Sequence, residues 1–276
     1  MKDQPFVSLH DGNSIPQVGL GVWQTPNDGA AAAVQAALAT GYRHVDTAAI
    51  YGNEEGVGQG LRAAGLPRDD VFVTTKVWND SQGFDSTLKA LDDSLTRLGL
   101  AYVDLYLIHW PAPRRGQFVD TWRALGRLQA EGRVRSIGVS NFEVEHLDRI
   151  IEETGVKPVI NQIEVHPRFQ QHALRRAHAE RGIVTESWSP LGQGKLLADP
   201  VIGEIAKKHG KTPAQTIIRW HIDNGLVVIP KSVTPSRIRE NFDVFGFTLD
   251  KDDLARIAAL DAPDGRIGPN PMTATF

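Results

Sequence analysis

Short runs of apolar and β-branched residues recur along the chain, and most of them end in polar side chains. Between the runs lie segments rich in Ala and Leu, such as STLKALDDSLTRLG, whose apolar residues recur at helical spacing. Strands that alternate with helices in this way are typical of parallel sheets. Eight such units match an α/β fold, the (β/α)8 TIM barrel, which we therefore predict. The predicted strands are 17–23, 44–48, 71–77, 103–109, 134–141, 159–165, 183–189 and 227–232.

Three segments lie outside the repeating units. Asp11-Gly12 stands between two apolar stretches and predicts an N-terminal β-hairpin that caps the barrel bottom. Two helices, DPVIGEIAKKHG and TPAQTIIRWHIDNG, are predicted after the seventh strand, and one of them is an insertion; Thr212 and Gln215 predict a capping box for the second. LDKDDLARIAALD predicts a last helix outside the barrel. We therefore predict a single barrel domain over residues 1–276, with the hairpin cap and two extra helices.

The composition excludes several classes of protein. The chain has 276 residues, 41% hydrophobic and 23% charged, as expected of a globular protein with a large core. Its net charge of -3 argues against the basic surface that nucleic acids or anionic membranes attract. The absence of cysteine excludes disulfides and Cys-based metal sites, and no apolar run is long enough for a signal peptide or a membrane span. We expect a cytoplasmic protein whose partners are small molecules, not nucleic acid or membrane.

Polar side chains close the second, third and fourth predicted strands, at the end where barrels place their active sites. Asp46, Lys76 and His109 hold these positions, and Tyr51 follows the second strand. A buried Lys76 in the run VFVTTKVW requires a partner, and we expect an ion pair with Asp46. We also expect the lysine to lower the pKa of Tyr51 from about 10 toward neutrality, so that the phenol can exchange a proton. His109 could then hydrogen-bond and orient a carbonyl oxygen.

Aromatic residues beside these positions predict the walls of a pocket. A lone tryptophan is more often packing than function, so a pocket role is predicted only for those next to the polar strand ends. The predicted substrate pocket is lined by Trp23, Trp78 and Trp110.

The later strand ends are suited to a cofactor. Ser140, Asn141 and Gln162 carry groups that recognise an amide, and Trp188 offers a flat ring on which a nicotinamide could stack. These residues close the fifth, sixth and seventh predicted strands. Together they predict that a nicotinamide cofactor binds opposite the polar ends of the earlier strands.

A candidate anion site follows the eighth predicted strand. Lys231 and Ser232 close this strand, and a helix begins at Thr234-Pro235 with Arg237 in its first turn. A helix N-terminus with a guanidinium nearby is well suited to phosphate. The ligand that we predict there is the 2′-phosphate of NADPH.

Six motifs resemble the aldo-keto reductase family over nearly the whole chain. They are GYRHVDTAAIYGNEEGVG, TTKVWN, DLYLIHWP, SIGVSNF, NQIEVHP and IPKSVTPSRIRENFDVFGFTL. The resemblance implies the (β/α)8 fold, NADPH as cofactor and direct hydride transfer to a carbonyl. It also implies a catalytic tetrad of Asp46, Tyr51, Lys76 and His109, in which Tyr51 donates a proton to the carbonyl oxygen.

The same resemblance implies the cofactor contacts. It places Ser140, Asn141 and Gln162 at the carboxamide, and Trp188 stands at the stacking position, where many members have tyrosine. The positions that match the family's adenosine-phosphate site are Lys231, Ser232, Thr234, Arg237 and Asn241. The neighbouring residues that we add to the predicted cofactor contacts are Ser189, Leu191 and Val233.

Within the family, the chain resembles the prokaryotic branch that includes 2,5-diketo-D-gluconate reductases. The connection PAPRRGQF and the C-terminal tail are short, and both segments shape the substrate pocket in relatives, so an open and permissive site is implied. The implied substrates are aldehydes, ketones, α-dicarbonyls or keto-sugar acids. Relatives are often monomeric, and we expect a monomer here.

Three other functions stay open. The chain could be a non-catalytic NADPH-binding redox sensor, or a Schiff-base lyase that uses Lys76. The pair of Lys76 and Asp46 could also be structural, since structural ion pairs perturb pKa values too. A metal-dependent hydrolase is the weakest alternative because no metal-ligand spacing is present, so we expect no metal.

Overall fold

The computed structural model describes residues 4–276. Eight parallel strands form one sheet in sequence order. Parallel bridges from Val18 to Val228 and from Gly21 to Lys231 join its first and last segments, so the sheet closes into the predicted barrel. The strands are β3 (Leu20–Gly21), β4 (His44–Asp46), β5 (Phe72–Val77), β6 (Val103–Ile108), β7 (Val134–Ser140), β8 (Ile160–Glu164), β9 (Val184–Trp188) and β10 (Val227–Val228).

Helices follow the strands and bury their apolar faces against the sheet. In α4, for example, Phe118, Trp122 and Leu125 recur at helical spacing, and all three side chains are buried. The helices are α1 (Asn27–Thr40), α2 (Glu54–Ala64), α3 (Phe84–Leu98), α4 (Phe118–Ala130), α5 (Val144–Thr154), α6 (His172–Arg181), α7 (Pro200–Lys208), α8 (Pro213–Asp223), α9 (Pro235–Phe242) and α10 (Lys251–Ala258). Among residues 4–276, none of the helices has the length and apolarity needed to cross a membrane.

The predicted hairpin is present and caps the barrel bottom. Its antiparallel strands are β1 (Phe6–Ser8) and β2 (Ser14–Pro16), with Gly12 in the turn at a φ of 92°. Ile15 is fully buried in one apolar cluster with Leu105 and Leu107 of β6. The hairpin therefore covers side chains that would otherwise be exposed at this end of the barrel.

The two extra helices are α7, which packs on α8, and α10, which packs on α7. The predicted capping box at the start of α8 is also present. The Thr212 hydroxyl accepts from the backbone N–H of Gln215 at 3.3 Å, and the Gln215 side chain accepts from the N–H of Thr212 at 3.0 Å. Helix α9 likewise begins after Thr234, with Pro235 in its first turn.

The first and last barrel strands are shorter than predicted. Pro230 has no backbone N–H, so it cannot donate within the sheet ladder after β10. The carbonyl of Pro230 instead accepts from Gly21 at 3.3 Å, which helps to close the barrel. Residues after Val228 can therefore leave the strand and line the carboxyl end of the barrel.

Candidate active site

A cavity of about 600 Å³ opens at the carboxyl ends of the strands. It brings together most of the residues that the sequence predicts for catalysis, for the substrate pocket and for the nicotinamide. Lys76 lies beneath the cavity, hydrogen-bonded to Asp46 in its lining. The predicted residues in the lining are Trp23, Asp46, Tyr51, Trp78, His109, Trp110, Ser140, Asn141, Gln162, Trp188, Ser189 and Lys231.

Lys76 and Asp46 form the expected buried pair. The Lys76 Nζ donates to Asp46 Oδ1 at 2.6 Å and to the Thr47 carbonyl at 2.9 Å, and the two charged side chains are 0% and 2% exposed. Burial acts to lower the pKa of Lys76, but the charges of Asp46 and Tyr51 and the hydrogen bond to Asp46 together raise it above its ordinary value. The ammonium is therefore retained at neutral pH.

Tyr51 lies at the end of a short 3-10 helix, Ala49–Tyr51, directly after β4. Lys76 Nζ is 5.2 Å from the centroid of its ring. The expectation that Lys76 lowers the pKa of Tyr51 below its ordinary value is wrong for this structure. Burial raises the pKa of Tyr51, the Lys76 charge lowers it, the Asp46 charge raises it, and the balance is a raised pKa. The phenol is therefore protonated at neutral pH, as a proton donor must be.

His109 faces the same cavity, with its ring centroid 5.6 Å from that of Tyr51 and 5.1 Å from that of Trp78. Burial and the Lys76 charge hold the pKa of His109 well below 6.5, so its imidazole is neutral at neutral pH. Its Nδ1 atom has no hydrogen-bond partner within residues 4–276. A neutral imidazole can donate one N–H to a carbonyl oxygen, but it is a much weaker acid than an imidazolium.

The four residues predicted to contact the nicotinamide form a connected hydrogen-bond network. Asn141 Nδ2 donates to the His109 carbonyl at 3.0 Å and to Ser140 Oγ at 3.1 Å, and Asn141 Oδ1 accepts from Trp188 Nε1 at 2.8 Å. The Ser140 hydroxyl donates to the Gln162 carbonyl at 2.8 Å. Each group is thus fixed by its neighbours, which preorganises this side of the cavity.

The pocket walls are aromatic, as predicted for the three tryptophans. Trp23 is 42% exposed at the rim, Trp78 is half-buried and Trp110 is buried. Phe276 stacks on Trp78 with ring centroids 5.7 Å apart and meets Trp110 edge-on at 5.0 Å. The sequence did not indicate this role for Phe276, because the contact joins residues far apart in the chain.

The C-terminal segment forms a further wall of the cavity through Ile267, Gly268 and Pro269. The Glu164 carboxylate accepts from the backbone N–H of Ile267 at 2.6 Å and of Gly268 at 2.8 Å. A side chain on Gly268 would place its Cβ 2.5 Å from Trp188. The implied open site is therefore walled on this side by the tail.

Of the predicted phosphate-site residues, Lys231, Ser232, Thr234 and Arg237 lie at the start of α9, and Lys231 lines the edge of the cavity. Lys231 and Arg237 are exposed, and neither forms an ion pair within the part of the chain that the structure describes. Thr234 makes no side-chain cap, and Ser232 Oγ accepts from its backbone N–H at 3.2 Å. Two unpaired cations beside a helix N-terminus fit the phosphate of NADPH.

The remaining predicted cofactor contacts do not line the cavity. Val233 is 46% exposed, Asn241 is buried at 4% exposure, and Leu191 is half-buried against the hydrophobic core. Val233 lies between Ser232 and Thr234 in the chain, and Asn241 lies in the last turn of α9. The contacts of both residues with the cofactor stay predictions.

Four non-glycine residues of the cavity adopt left-handed backbone conformations. Their φ values are 55° at Gln24, 62° at Asn141, 48° at Ser189 and 54° at Gln193. Such conformations cost free energy and concentrate at functional sites, where the surrounding structure enforces them. Two of the four, Asn141 and Ser189, belong to the predicted cofactor contacts.

A further buried carboxylate, which the sequence patterns above did not predict, lies beneath the cavity. Glu186 of β9 is fully buried, and its Oε2 accepts from Gln162 Nε2 at 2.9 Å. Its side chain lies close to His44, whose Nε2 is 3.8 Å from Glu186 Oε1. The signal was present, because Glu186 interrupts the apolar run IVTESWS just as Lys76 interrupts its own strand.

The chain is similar to known proteins over nearly its full length. A model of the Aldo/keto reductase family matches residues 17–262. An aldo-keto reductase of Mycolicibacterium smegmatis is 59% identical over 272 residues, which cover 99% of this chain and 98% of the relative. Methylglyoxal reductase DkgA of Escherichia coli (strain K12) is 55% identical over 273 residues, 98% of each chain. The crystal structure of a Gox0644 mutant in complex with NADPH has a TM-score of 0.96 at 57% identity and covers 100% of both chains.

Proposed function

Because this chain belongs to the aldo-keto reductase family and is an NADP-dependent oxidoreductase, we propose that it reduces aldehydes, ketones or keto-sugar acids, with Tyr51 as proton donor. The observation that carries the proposal is the convergence of four groups at one cavity. The buried Lys76–Asp46 pair lies directly beside Tyr51, and His109 faces the same space. NADPH is the cofactor of this family, and it supplies the hydride when bound.

The residues of the site then act on the carbonyl oxygen. His109, neutral at neutral pH, donates an N–H to that oxygen and orients it. Because a neutral imidazole is a poor acid, the protonated Tyr51 delivers the proton as negative charge develops on the oxygen. Lys76 stabilises the resulting phenolate, and Asp46 keeps the ammonium in place. The apolar walls exclude water from the reacting atoms.

The walls of the cavity favour small or flat carbonyl substrates. Trp78, Trp110 and Phe276 surround one side with aromatic surface, while polar groups converge on its floor. A methylglyoxal reductase is 55% identical to this chain. We therefore place small α-dicarbonyls first among the proposed substrates, followed by keto-sugar acids.

The Tyr51→Phe variant tests the proton donor. Loss of the phenolic hydroxyl removes the acid but keeps the ring, so the rate of carbonyl reduction should fall by roughly 100-fold or more. NADPH binding, measured by fluorescence titration, should stay nearly unchanged. Tyr102→Phe is the matched control, because Tyr102 lies outside the cavity, where its hydroxyl donates to Asp69. Retained turnover in Tyr51→Phe would remove Tyr51 from the proposal.

The Arg237→Ala variant tests the phosphate site. Removal of the guanidinium should weaken NADPH binding by roughly 10-fold and leave NADH binding nearly unchanged, because NADH lacks the 2′-phosphate. Dissociation constants for both dinucleotides are the measurement. Arg239→Ala, which changes an exposed arginine in the last turn of α9, is the control. Equal losses for NADPH and NADH would show that the 2′-phosphate binds elsewhere.

Two alternative functions remain distinguishable. A Schiff-base lyase needs a neutral Lys76, whereas the charges around Lys76 raise its pKa, so borohydride should trap no substrate on this residue. A redox sensor would bind NADPH stoichiometrically and turn over no carbonyl.

Four expectations from the sequence stay predictions. They are the single domain over residues 1–276, the cytoplasmic location, the monomeric state and the absence of a metal.

A further inference from the structure

Glu186 is connected to the proposed catalytic residues by an unbroken series of buried hydrogen bonds. Gln162 Nε2 donates to Glu186 Oε2 at 2.9 Å and to Asp46 Oδ2 at 2.8 Å, and Asp46 Oδ1 accepts from Lys76 at 2.6 Å. Gln162 and Glu186 are direct neighbours in the pairing of β8 with β9. All four side chains are 2% exposed or less, so their charges interact with little screening by water.

The charges in this buried cluster do not balance when every acid is ionised. Two carboxylates, Asp46 and Glu186, face one ammonium, and Asp46 already pairs with it. Glu186 Oε1 has no hydrogen-bond partner among residues 4–276. A buried and unpaired carboxylate is costly, whereas its protonated form is not, so this site favours a Glu186 that gains and loses a proton.

The other titratable groups around Glu186 can be named from each neighbouring element. His44 and Asp46 lie on β4, Lys76 lies on β5, and Tyr51 follows β4. The residues paired with Glu186 on β8 and β10 are Gln162 and Val227, and neither carries a charge. Burial and the Lys76 charge lower the pKa of His44 to about 3, so this histidine offers Glu186 no positive charge at neutral pH.

A metal ion is not needed to explain the cluster. Ligand atoms of His44, Asp46 and Glu186 lie within 4.8 Å of one another. However, the Lys76 ammonium and the Gln162 amide already donate to Asp46, and the same amide donates to Glu186. Donor groups therefore occupy both Asp46 oxygens and Glu186 Oε2, three of the four carboxylate oxygens from which a cation would be bound.

We propose that Glu186 is a positioning residue whose own ionisation sets the pH range in which Tyr51 keeps its proton, acting through Gln162, Asp46 and Lys76. The proposal rests on the function proposed above, in which Tyr51 is the proton donor. An ionised Glu186 adds a negative charge to the cluster, and this charge opposes formation of the Tyr51 phenolate. Glu186 thus extends carbonyl reduction to higher pH.

The electrostatics of the site support this role. Burial and the Asp46 charge raise the pKa of Glu186 to about 8, while the Gln162 hydrogen bond and the Lys76 charge act in the opposite direction. Glu186 is therefore protonated at neutral pH and ionises in mildly alkaline solution. Its negative charge contributes to the raised pKa values of both Tyr51 and Lys76.

The Glu186→Gln variant tests the proposal without requiring turnover. Glutamine keeps the size of the side chain and an oxygen for Gln162, but it cannot ionise. Tyrosinate absorbance is recorded against pH in the cofactor-free protein. Subtracting the curve of the same protein carrying Tyr51→Phe leaves the titration of Tyr51. In Glu186→Gln, this titration should move to lower pH by roughly 1 pH unit.

Reduction kinetics give the second readout. The alkaline midpoint of kcat for carbonyl reduction should move to lower pH in Glu186→Gln, and Glu186→Asp should return it toward the original position. Glu54→Gln is the matched control, since Glu54 is also buried but its partners are Thr75 and Arg97, outside the cluster. This control should lower stability and leave the midpoint unchanged.

The outcomes separate the two proposals. If Tyr51→Phe keeps its activity, the proposed function fails before Glu186 is tested. If Tyr51 is required but both titrations are unmoved in Glu186→Gln, Glu186 does not control Tyr51, and the present inference is overturned. A uniform fall of kcat at every pH, with the midpoint unchanged, would also overturn it and would indicate a purely structural role.

Discussion

At the scale of single residues, Lys76 combines two requirements that usually conflict. It is fully buried in an apolar strand, yet it keeps its charge because Asp46 and the Thr47 carbonyl accept from its ammonium. Replacement of a buried ion pair by apolar groups often costs little, whereas removal of one partner leaves an uncompensated charge. The pair is therefore better explained by its position beside Tyr51 than by its net contribution to folding.

This difference predicts a distinctive mutational result. Lys76→Met should lower the free energy of unfolding by about 3 kcal/mol or more, because Asp46 is left buried without its cation. The double variant Lys76→Met with Asp46→Asn should recover part of that loss. Urea denaturation followed by circular dichroism is the measurement. Arg123→Met, which breaks exposed pairs with Asp120 and Glu153, should cost under about 1 kcal/mol. No recovery in the double variant would contradict this account.

At the scale of elements, two helices begin with the same Thr-Pro dipeptide but use it differently. In α8, Thr212 forms a reciprocal capping box with Gln215, and its hydroxyl also donates to Glu240 at 2.8 Å. In α9, Thr234 makes no side-chain cap, so the helix start remains available to an anion. One helix start thus stabilises the fold, and the other is left for the proposed phosphate site.

The two threonines should therefore respond differently to substitution. Thr212→Ala should lower the free energy of unfolding by about 1 kcal/mol, because the cap of α8 is lost. Thr234→Ala should change stability by less than about 0.5 kcal/mol, because no cap exists to lose. Thermal and urea unfolding of both variants provide the comparison. Equal destabilisation would mean that Thr234 caps its helix in solution.

At the scale of the whole molecule, buried histidines make stability depend on pH. His178 is fully buried, with Nδ1 facing the Thr185 hydroxyl at 2.9 Å and Nε2 facing the Asn161 amide nitrogen at 2.9 Å. Because Asn161 Nδ2 can only donate, Nε2 must accept, and the ring is neutral. Burial and the charges of Arg181 and Arg175 lower the pKa of His178 to about 4.

The sign of the resulting pH dependence follows from proton uptake. Below pH 6.5 the unfolded His178 binds a proton, while the folded residue does not until about pH 4. The stability contributed by neutral His178 is therefore complete above pH 6.5 and is lost as the pH falls toward 4. The contribution of His178 to the free energy of unfolding therefore falls in acid.

The His178→Gln variant isolates this contribution. Glutamine can accept from Asn161 and donate to Thr185, but it does not titrate. The unfolding free energy of the wild type should fall more steeply than that of His178→Gln between pH 6.5 and 4. Urea unfolding across this range is the measurement. Glu186, whose pKa is raised, changes stability in the opposite direction over this range, and its contribution cancels because it is the same in both proteins. Parallel curves would mean that His178 already binds a proton in the folded protein.

The sequence by itself determined the barrel, the hairpin cap, the helix starts and most of the candidate site. Strand and helix periodicities are local properties, and a parallel barrel brings the carboxyl ends of its strands together. The positions of Asp46, Lys76 and His109 at successive strand ends were therefore enough to predict that they meet, and Tyr51 follows one of these strands. The Asp11-Gly12 turn and the capping box of α8 are local in the same sense.

Only the tertiary structure decided whether burial or the Lys76 charge has the larger effect on the pKa of Tyr51. It also decided which residues distant in sequence complete the site. The pKa of Tyr51 is raised because burial outweighs the Lys76 charge, and that balance depends on distances that no local pattern contains. The pairing of β8 with β9 places Glu186 beside Gln162, and the chain fold brings Phe276 onto Trp78. Desolvation and Coulomb interactions are properties of the packed interior, so they become defined only when residues distant in sequence are brought together.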